Sequence, residues 1–222
     1  MRYLNIHTHR KVEHTAWRSI QSLRSDFHQV LQPGAYSIGL HPWYLDVHNA
    51  QGQFGQLERF AEEDDVLAIG ECGLDKVCNT DWNLQVDYFI RQTQLAIKIK
   101  KPLIIHCVRA YDEVLKILKE NSISVPVVFH GFNKRTELAN KILDQGYYLS
   151  FGKHLLMDAY DEVFKEIPLD KIFLETDDDS IAIETVYRKA AEMKQLDLVL
   201  LTEQISENYR MVFGGLKTTQ NE

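Results

Sequence analysis

The sequence predicts an α/β protein, a compact (β/α)8 TIM barrel, and three observations carry that expectation. Short apolar or β-branched runs recur eight times along the 222 residues. Amphipathic segments of helical period separate the later runs. The residues just past the runs are repeatedly histidine or carboxylate. Continuous apolar strands alternating with amphipathic helices point to a parallel sheet covered by helices. Eight strands suggest closure into a barrel, although the length is near the lower end for that fold. An open doubly wound sheet is the structural alternative.

The strands are expected at residues 3–6, 16–22, 36–40, 66–70, 102–105, 125–129, 147–151 and 172–175. The second also fits a helical spacing through Trp17, Ile20 and Leu23. Residues 82–100 place Leu84, Tyr88, Ile90, Leu95 and Ile99 among polar residues at helical intervals. Residues 111–120 gather Val114, Leu115 and Leu118 on one face, and 135–145 do the same with Leu138, Ile142 and Leu143. Helices are also expected at 161–167, 181–194 and 202–213. Five prolines and eleven glycines are scattered singly. With no repeat or linker, residues 1–222 read as a single domain.

Composition narrows the class. With 45% hydrophobic and 26% charged residues, the chain has the balance of a soluble globular protein. Its longest apolar runs fall far short of the roughly 20 residues of a membrane helix. No signal peptide is expected at the N-terminus. Three cysteines without a Cys-x-x-Cys pair read as reduced thiols in a cytoplasmic protein. A net charge of −7 argues against a module that grips duplex nucleic acid by its phosphates. Bound cations can still reverse the charge of a cleft locally.

The chemistry lies at the strand ends. His7 and His9 close the first strand, His41 follows the third, Glu71 ends the fourth, His106 the fifth, His130 the sixth and Asp177 the eighth. In a parallel barrel these ends share one face. Imidazole and carboxylate are the usual ligands of zinc and similar cations. His7-Thr8-His9 puts two imidazoles on one side of an extended strand. Glu71 is placed to bridge two cations, and Asp177 to bind one and accept a proton from water. Asp177 could instead cap the following helix. Arg109 is a candidate for binding an anionic substrate group, or for an ion pair with a nearby acid. His41 is a candidate substrate contact, or packs on Pro42 and Trp43. His154 could line the cleft, and Lys11, Lys76 and Lys153 could make its rim positive. Cys72 and Cys107, beside proposed ligands, should face the other way as buried packing.

The chain resembles the TatD family of metal-dependent hydrolases from Leu4 to Phe213. The matching stretches are Asn5-Ile-His7-Thr-His9, Gly39-Leu-His-Pro-Trp43, Ile69-Gly-Glu-Cys-Gly-Leu-Asp75, Lys101-Pro-Leu-Ile-Ile-His-Cys-Val-Arg109-Ala, His130-Gly-Phe, Gly146-Tyr-Tyr-Leu-Ser-Phe and Leu174-Glu-Thr-Asp177. The resemblance implies a TIM barrel, one to three divalent ions (Zn, Mg or Mn) and deoxyribonuclease activity using a metal-activated water. Its ligand positions carry over to His7, His9, Glu71, His106, His130 and Asp177. The implied substrate is single-stranded DNA or a small phosphodiester, with no membrane or obligate protein partner. Amide or ester hydrolysis on the same scaffold, or a metal-binding scaffold without catalysis, are the alternatives. Three departures stand out. Asn5 replaces the family's usual Asp, the segment from His9 to Gly39 is short, and Asp177-Asp178-Asp179-Ser180 runs almost directly into Ile181.

Overall fold

The computed structural model describes residues 3–11, 17–157 and 161–214. Eight parallel strands pair in chain order: β1 (Tyr3–Thr8), β2 (Trp17–Leu23), β3 (Tyr36–Ile38), β4 (Val66–Asp75), β5 (Leu103–Val108), β6 (Val127–Phe129), β7 (Tyr148–Phe151) and β8 (Ile172–Leu174). The sheet curls back on itself at the carboxyl ends of the strands. There Thr8 bridges Asp177, and Asp177 N donates to His7 O at 3.0 Å. The result is a nearly closed (β/α)8 barrel, not an open sheet.

Side chains complete the seam between β1 and β8. Asn5 Nδ2 donates to Thr176 Oγ1 at 2.8 Å, and Thr176 N donates to Asn5 Oδ1 at 3.1 Å. The amide supplies both donor and acceptor to one neighbour, so Asn5 stitches the barrel. The Tyr187 hydroxyl donates to Leu4 O at 2.9 Å and accepts from Leu4 N at 3.1 Å.

Among the described residues there are seven α-helices: α1 (Ala50–Phe60), α2 (Trp82–Ile99), α3 (Tyr111–Glu120), α4 (Thr136–Leu143), α5 (Asp161–Glu166), α6 (Ile183–Lys194) and α7 (Leu198–Phe213). The sequence pattern does not predict α1. Gly52 and Gly55 weaken its intrinsic preference, and what holds it is burial of Ala50, Phe54, Leu57 and Phe60. The last helix begins earlier than residue 202, because Asp197 accepts from Val199 N at 2.7 Å and caps it. The short segment before β3 carries a 3-10 turn at Phe27–Leu31. Residue 16 of the expected second strand and His14 lie outside the described residues.

Helix α2 ties fold to site. Gln85 and Gln92 are both buried, and seven residues apart they share one face. Gln92 accepts from Leu40 N at 2.7 Å and donates to Leu40 O at 3.2 Å, holding the residue before His41. Gln85 clamps the backbone of Asp75 in the same way, at 2.8 and 3.1 Å. Gly73 lets β4 lie close against β5: its φ is +146°, and a Cβ there would meet His106 O at 1.9 Å. No side chain fits that approach.

Candidate metal centre

Glu71 is buried at the centre of the barrel mouth, 3% exposed. Its Oε1 lies 2.7 Å from His130 Nε2, 2.9 Å from His106 Nδ1 and 3.1 Å from His41 Nε2. Its Oε2 lies 3.1 Å from His9 Nε2 and 3.5 Å from His7 Nε2. Asp177 Oδ1 stands 3.5 Å from both His7 Nε2 and His9 Nε2. Residues separated by 170 positions in sequence thus meet, because each lies in or just past the carboxyl-terminal half of a strand of the same barrel; β4 itself runs on past Glu71 to Asp75.

Groups behind the rings decide which nitrogens face Glu71 bare. His9 Nδ1 lies 3.1 Å from Ser22 O. A carbonyl only accepts, so the proton sits on Nδ1 and Nε2 presents a lone pair. His106 Nε2 faces Asp75 Oδ2 at 3.1 Å, leaving Nδ1 bare. His130 Nδ1 faces Glu175 Oε1 at 3.3 Å, and its Nε2 points at Glu71. The same Glu175 oxygen accepts from Gly131 N at 2.8 Å. His7 is wholly buried, and neither ring nitrogen has a hydrogen bond.

His41 is the exception. Its Nδ1 accepts from Trp43 N at 3.0 Å, at the start of a 3-10 turn (Pro42–Tyr44). The neutral ring therefore carries its proton on Nε2 and donates to Glu71. Burial lowers the His41 basicity and outweighs the pull of Glu71, which favours that neutral form. His41 lies within ligand distance of Glu71 and His106, but its tautomer makes it a donor to the carboxylate.

The electrostatics follow. Burial lowers the basicity of His7, and His130 adds to that effect, yet the nearby Asp177 and Glu71 carboxylates push it up to about 9. Burial opposes charging of His130 too, but Glu71 and Glu175 hold it well above the usual imidazole range. Glu71 pays a burial cost that the surrounding imidazoles more than offset, and it sits well below the carboxylate range. Asp177 is depressed similarly, its burial outweighed mainly by His7.

Bare nitrogens aimed at a buried carboxylate repel unless a proton or a cation lies between them. The donor atoms of His7, His9 and Glu71, and of His7, His130 and Asp177, each fall within 4.8 Å of one another. Imidazoles with ordered tautomers and backing carboxylates are the arrangement that supports divalent cations, so the residues fit such ions.

The strand-end pattern of the sequence does not mark Asp75, Glu175 or the Trp43 indole. Trp43 Nε1 donates to Asp75 Oδ2 at 2.6 Å, and Val77 N donates to Oδ1 at 2.7 Å. Burial raises the Asp75 carboxyl, but these bonds and His106 hold it below its ordinary range. The signal was present as period two: Glu71, Gly73 and Asp75 alternate along one strand.

Arg109 is exposed and sits just past β5 with φ +54°. Its left-handed backbone turns the chain away into α3. Lys76 pairs with Glu113 and Lys11 lines a separate cavity, while Lys153 and His154 do line the mouth. Cys72 and Cys107 are buried. Among the described residues, no helix is long and apolar enough to cross a membrane.

A parallel eight-stranded barrel with imidazoles and carboxylates gathered at its strand ends defines a metal-dependent hydrolase. The chain belongs to the TatD-related DNase family, whose model matches residues 9–214. It is 30% identical over 204 residues to an uncharacterised metal-dependent hydrolase of Buchnera aphidicola (Acyrthosiphon pisum symbiont), covering 81% of this chain and 76% of that one. It is 28% identical over 206 residues to a 3′-5′ ssDNA/RNA exonuclease TatD of Pantoea ananatis, covering 80% and 77%. A second Buchnera relative, from Baizongia pistaciae, is matched over only 54% of its length, at 34% identity across 64% of this chain. The fold matches a crystal structure of the Escherichia coli TatD homologue YJJV with a TM-score of 0.84, at 21% identity over 96% and 98% of the two chains.

Proposed function

We propose that residues 1–222 form one hydrolase domain that cleaves phosphodiester bonds in single-stranded DNA or small diesters. His7, His9, Glu71, His106, His130 and Asp177 are its metal ligands, and Glu71 is the bridge between two cation positions. The single observation that carries this reading is Glu71, with imidazole nitrogens facing both of its oxygens. Zinc, magnesium or manganese at these positions would acidify water and neutralise charge developing on the phosphoryl oxygens.

The residues of the chain do the rest. Asp177 is held as a carboxylate at the open edge of the cluster, its side chain 44% exposed. It is the group that can take a proton from water at the mouth. His41 holds Glu71 in place by donating to Oε1, a positioning role rather than a ligand's. Asp75 and Glu175 hold the rings of His106 and His130. The Pantoea relative named as an exonuclease supports a nucleic-acid substrate. Three free cysteines support a reducing compartment, the cytoplasm.

The test is cleavage of matched single-stranded and duplex oligonucleotides across a salt series, with each cation supplied in turn, beside a panel of amides and esters. With a net charge of −7, single strands should be cleaved faster and with little salt dependence. Faster duplex cleavage that falls steeply with salt would contradict the substrate assignment. Amide cleavage without phosphodiester cleavage would replace it with the other hydrolase chemistry.

A further inference from the structure

The mouth of the barrel holds a cavity of about 180 Å³ lined by residues in or just past β5, β6, β7 and β8. His130, Glu175 and Asp177 line it together with Lys134, Lys153 and His154. In a chain this acidic, two lysines beside a carboxylate-rich centre need a reason.

Lys153 already has a partner, Asp179 at 3.5 Å. Lys134 does not. It is half-buried, and among the described residues no carboxylate lies within ion-pair distance of it. Its ammonium donates to the side-chain oxygen of Asn133. That contact orients the Asn133 amide, whose Nδ2 then faces His154 Nε2 at 3.1 Å. Burial, with help from Lys153 and Lys134, lowers the His154 basicity. His154 is therefore an acceptor for Asn133, and the positive charge on this side belongs to the lysines. An ammonium has three donors, and one amide oxygen is a weak counterpart for a half-buried charge. With no carboxylate in direct contact among the described residues, this ammonium has donors to spare for an anion in the cavity that it lines.

We propose that Lys134, aided by Lys153, forms an anion subsite that takes a second phosphate of the substrate, next to the scissile one. This rests on the phosphodiesterase reading above, and it narrows the substrate to one carrying a neighbouring phosphate, as a nucleotide strand does.

The probes are thymidine 5′-(p-nitrophenyl phosphate) with and without a 3′-phosphate, assayed in the metal-loaded protein. Calorimetric titrations with thymidine 3′,5′-bisphosphate and thymidine 5′-monophosphate supply a readout free of catalysis. The wild type should favour the 3′-phosphorylated member of each pair by about tenfold in KM and in Kd, the effect of roughly one charged hydrogen bond. Lys134→Gln should erase that preference, whatever it does to the shared activity, and Lys134→Arg should retain most of it. Equal KM and equal Kd within each pair in the wild type would overturn the subsite, as would a preference that survives Lys134→Gln. Failure to hydrolyse either chromogen would instead count against the phosphodiesterase reading, with the bisphosphate-to-monophosphate Kd ratio still judging the subsite.

Discussion

Asp75 Oδ2 stands 3.1 Å behind His106 Nε2, on the side of the ring opposite Glu71, which approaches Nδ1 at 2.9 Å. The carboxylate fixes both the tautomer and the orientation of the imidazole. It is itself held by the Trp43 indole at 2.6 Å. Removing such a backing carboxylate typically costs about 10–100-fold in metal affinity. Asp75→Asn should lose metal affinity in that range while its circular dichroism stays that of the wild type. Unchanged affinity, measured by competition with a chelating dye, would show that His106 needs no support.

Glu71→Ala should abolish hydrolysis and lower metal content without unfolding the barrel. The carboxylate meets His9 through one oxygen and His130 through the other, and a bridge also sets the spacing of two cations. Elemental analysis of the purified variant checks this. Full metal stoichiometry with normal turnover is incompatible with the assignment.

Metal binding should release protons, and its affinity should climb between pH 7 and 9. Without metal, His7 titrates near 9 and His130 well above the imidazole range, so both rings are cationic at neutral pH and a divalent ion must displace their protons. The stability linkage has the same sign. A folded pKa of about 9 for His7, against 6.5 unfolded, gives stabilisation that is fully present below 6.5. It is lost as pH rises through 9. The metal-free protein should weaken across that window, and bound metal should restore it. Calorimetry in buffers of different ionisation enthalpy measures the released protons, and a count of zero would refute the ligand roles.

Only one thiol should react quickly with a disulfide reagent in the native protein. Burial, then the charge of Glu71, raises the Cys72 thiol far above its ordinary range. Burial pushes Cys107 up to about 12. Both stay neutral, and the thiolate is the reactive form. Cys78, half-buried with its thiol 3.4 Å from Asp75 O, is the accessible one. Three fast-reacting thiols would mean that the rims of β4 and β5 open readily.

Tyr187→Phe should destabilise the protein by about 1–3 kcal/mol, the usual effect of leaving buried polar groups unpaired. The hydroxyl serves Leu4 at both its amide and its carbonyl, and Tyr187 is fully buried. For a domain of this size that corresponds to a fall in Tm of roughly 2–4 °C per kcal/mol. A variant melting with the wild type would show that water replaces the hydroxyl at the seam.

The sequence by itself determined the barrel and the chemical identity of its mouth. Apolar runs mark strands because a parallel strand is buried on both faces. His7, Glu71, His106, His130 and Asp177 stand out because each follows such a run. Parallel pairing then brings the ends together without further information. Helix α1 was not legible, since its glycines hide a segment that only packing against the barrel makes helical. The tertiary structure alone decided what each ring does. His41, just past β3, and His106, within β5, are the same residue type at one mouth. One is a donor and the other presents a bare nitrogen, because Trp43 N lies behind the first and Asp75 behind the second. It also decided that Lys134 faces the cavity. Side-chain direction outside a strand depends on local dihedrals and on neighbours from distant parts of the chain, and no periodicity in the sequence encodes either.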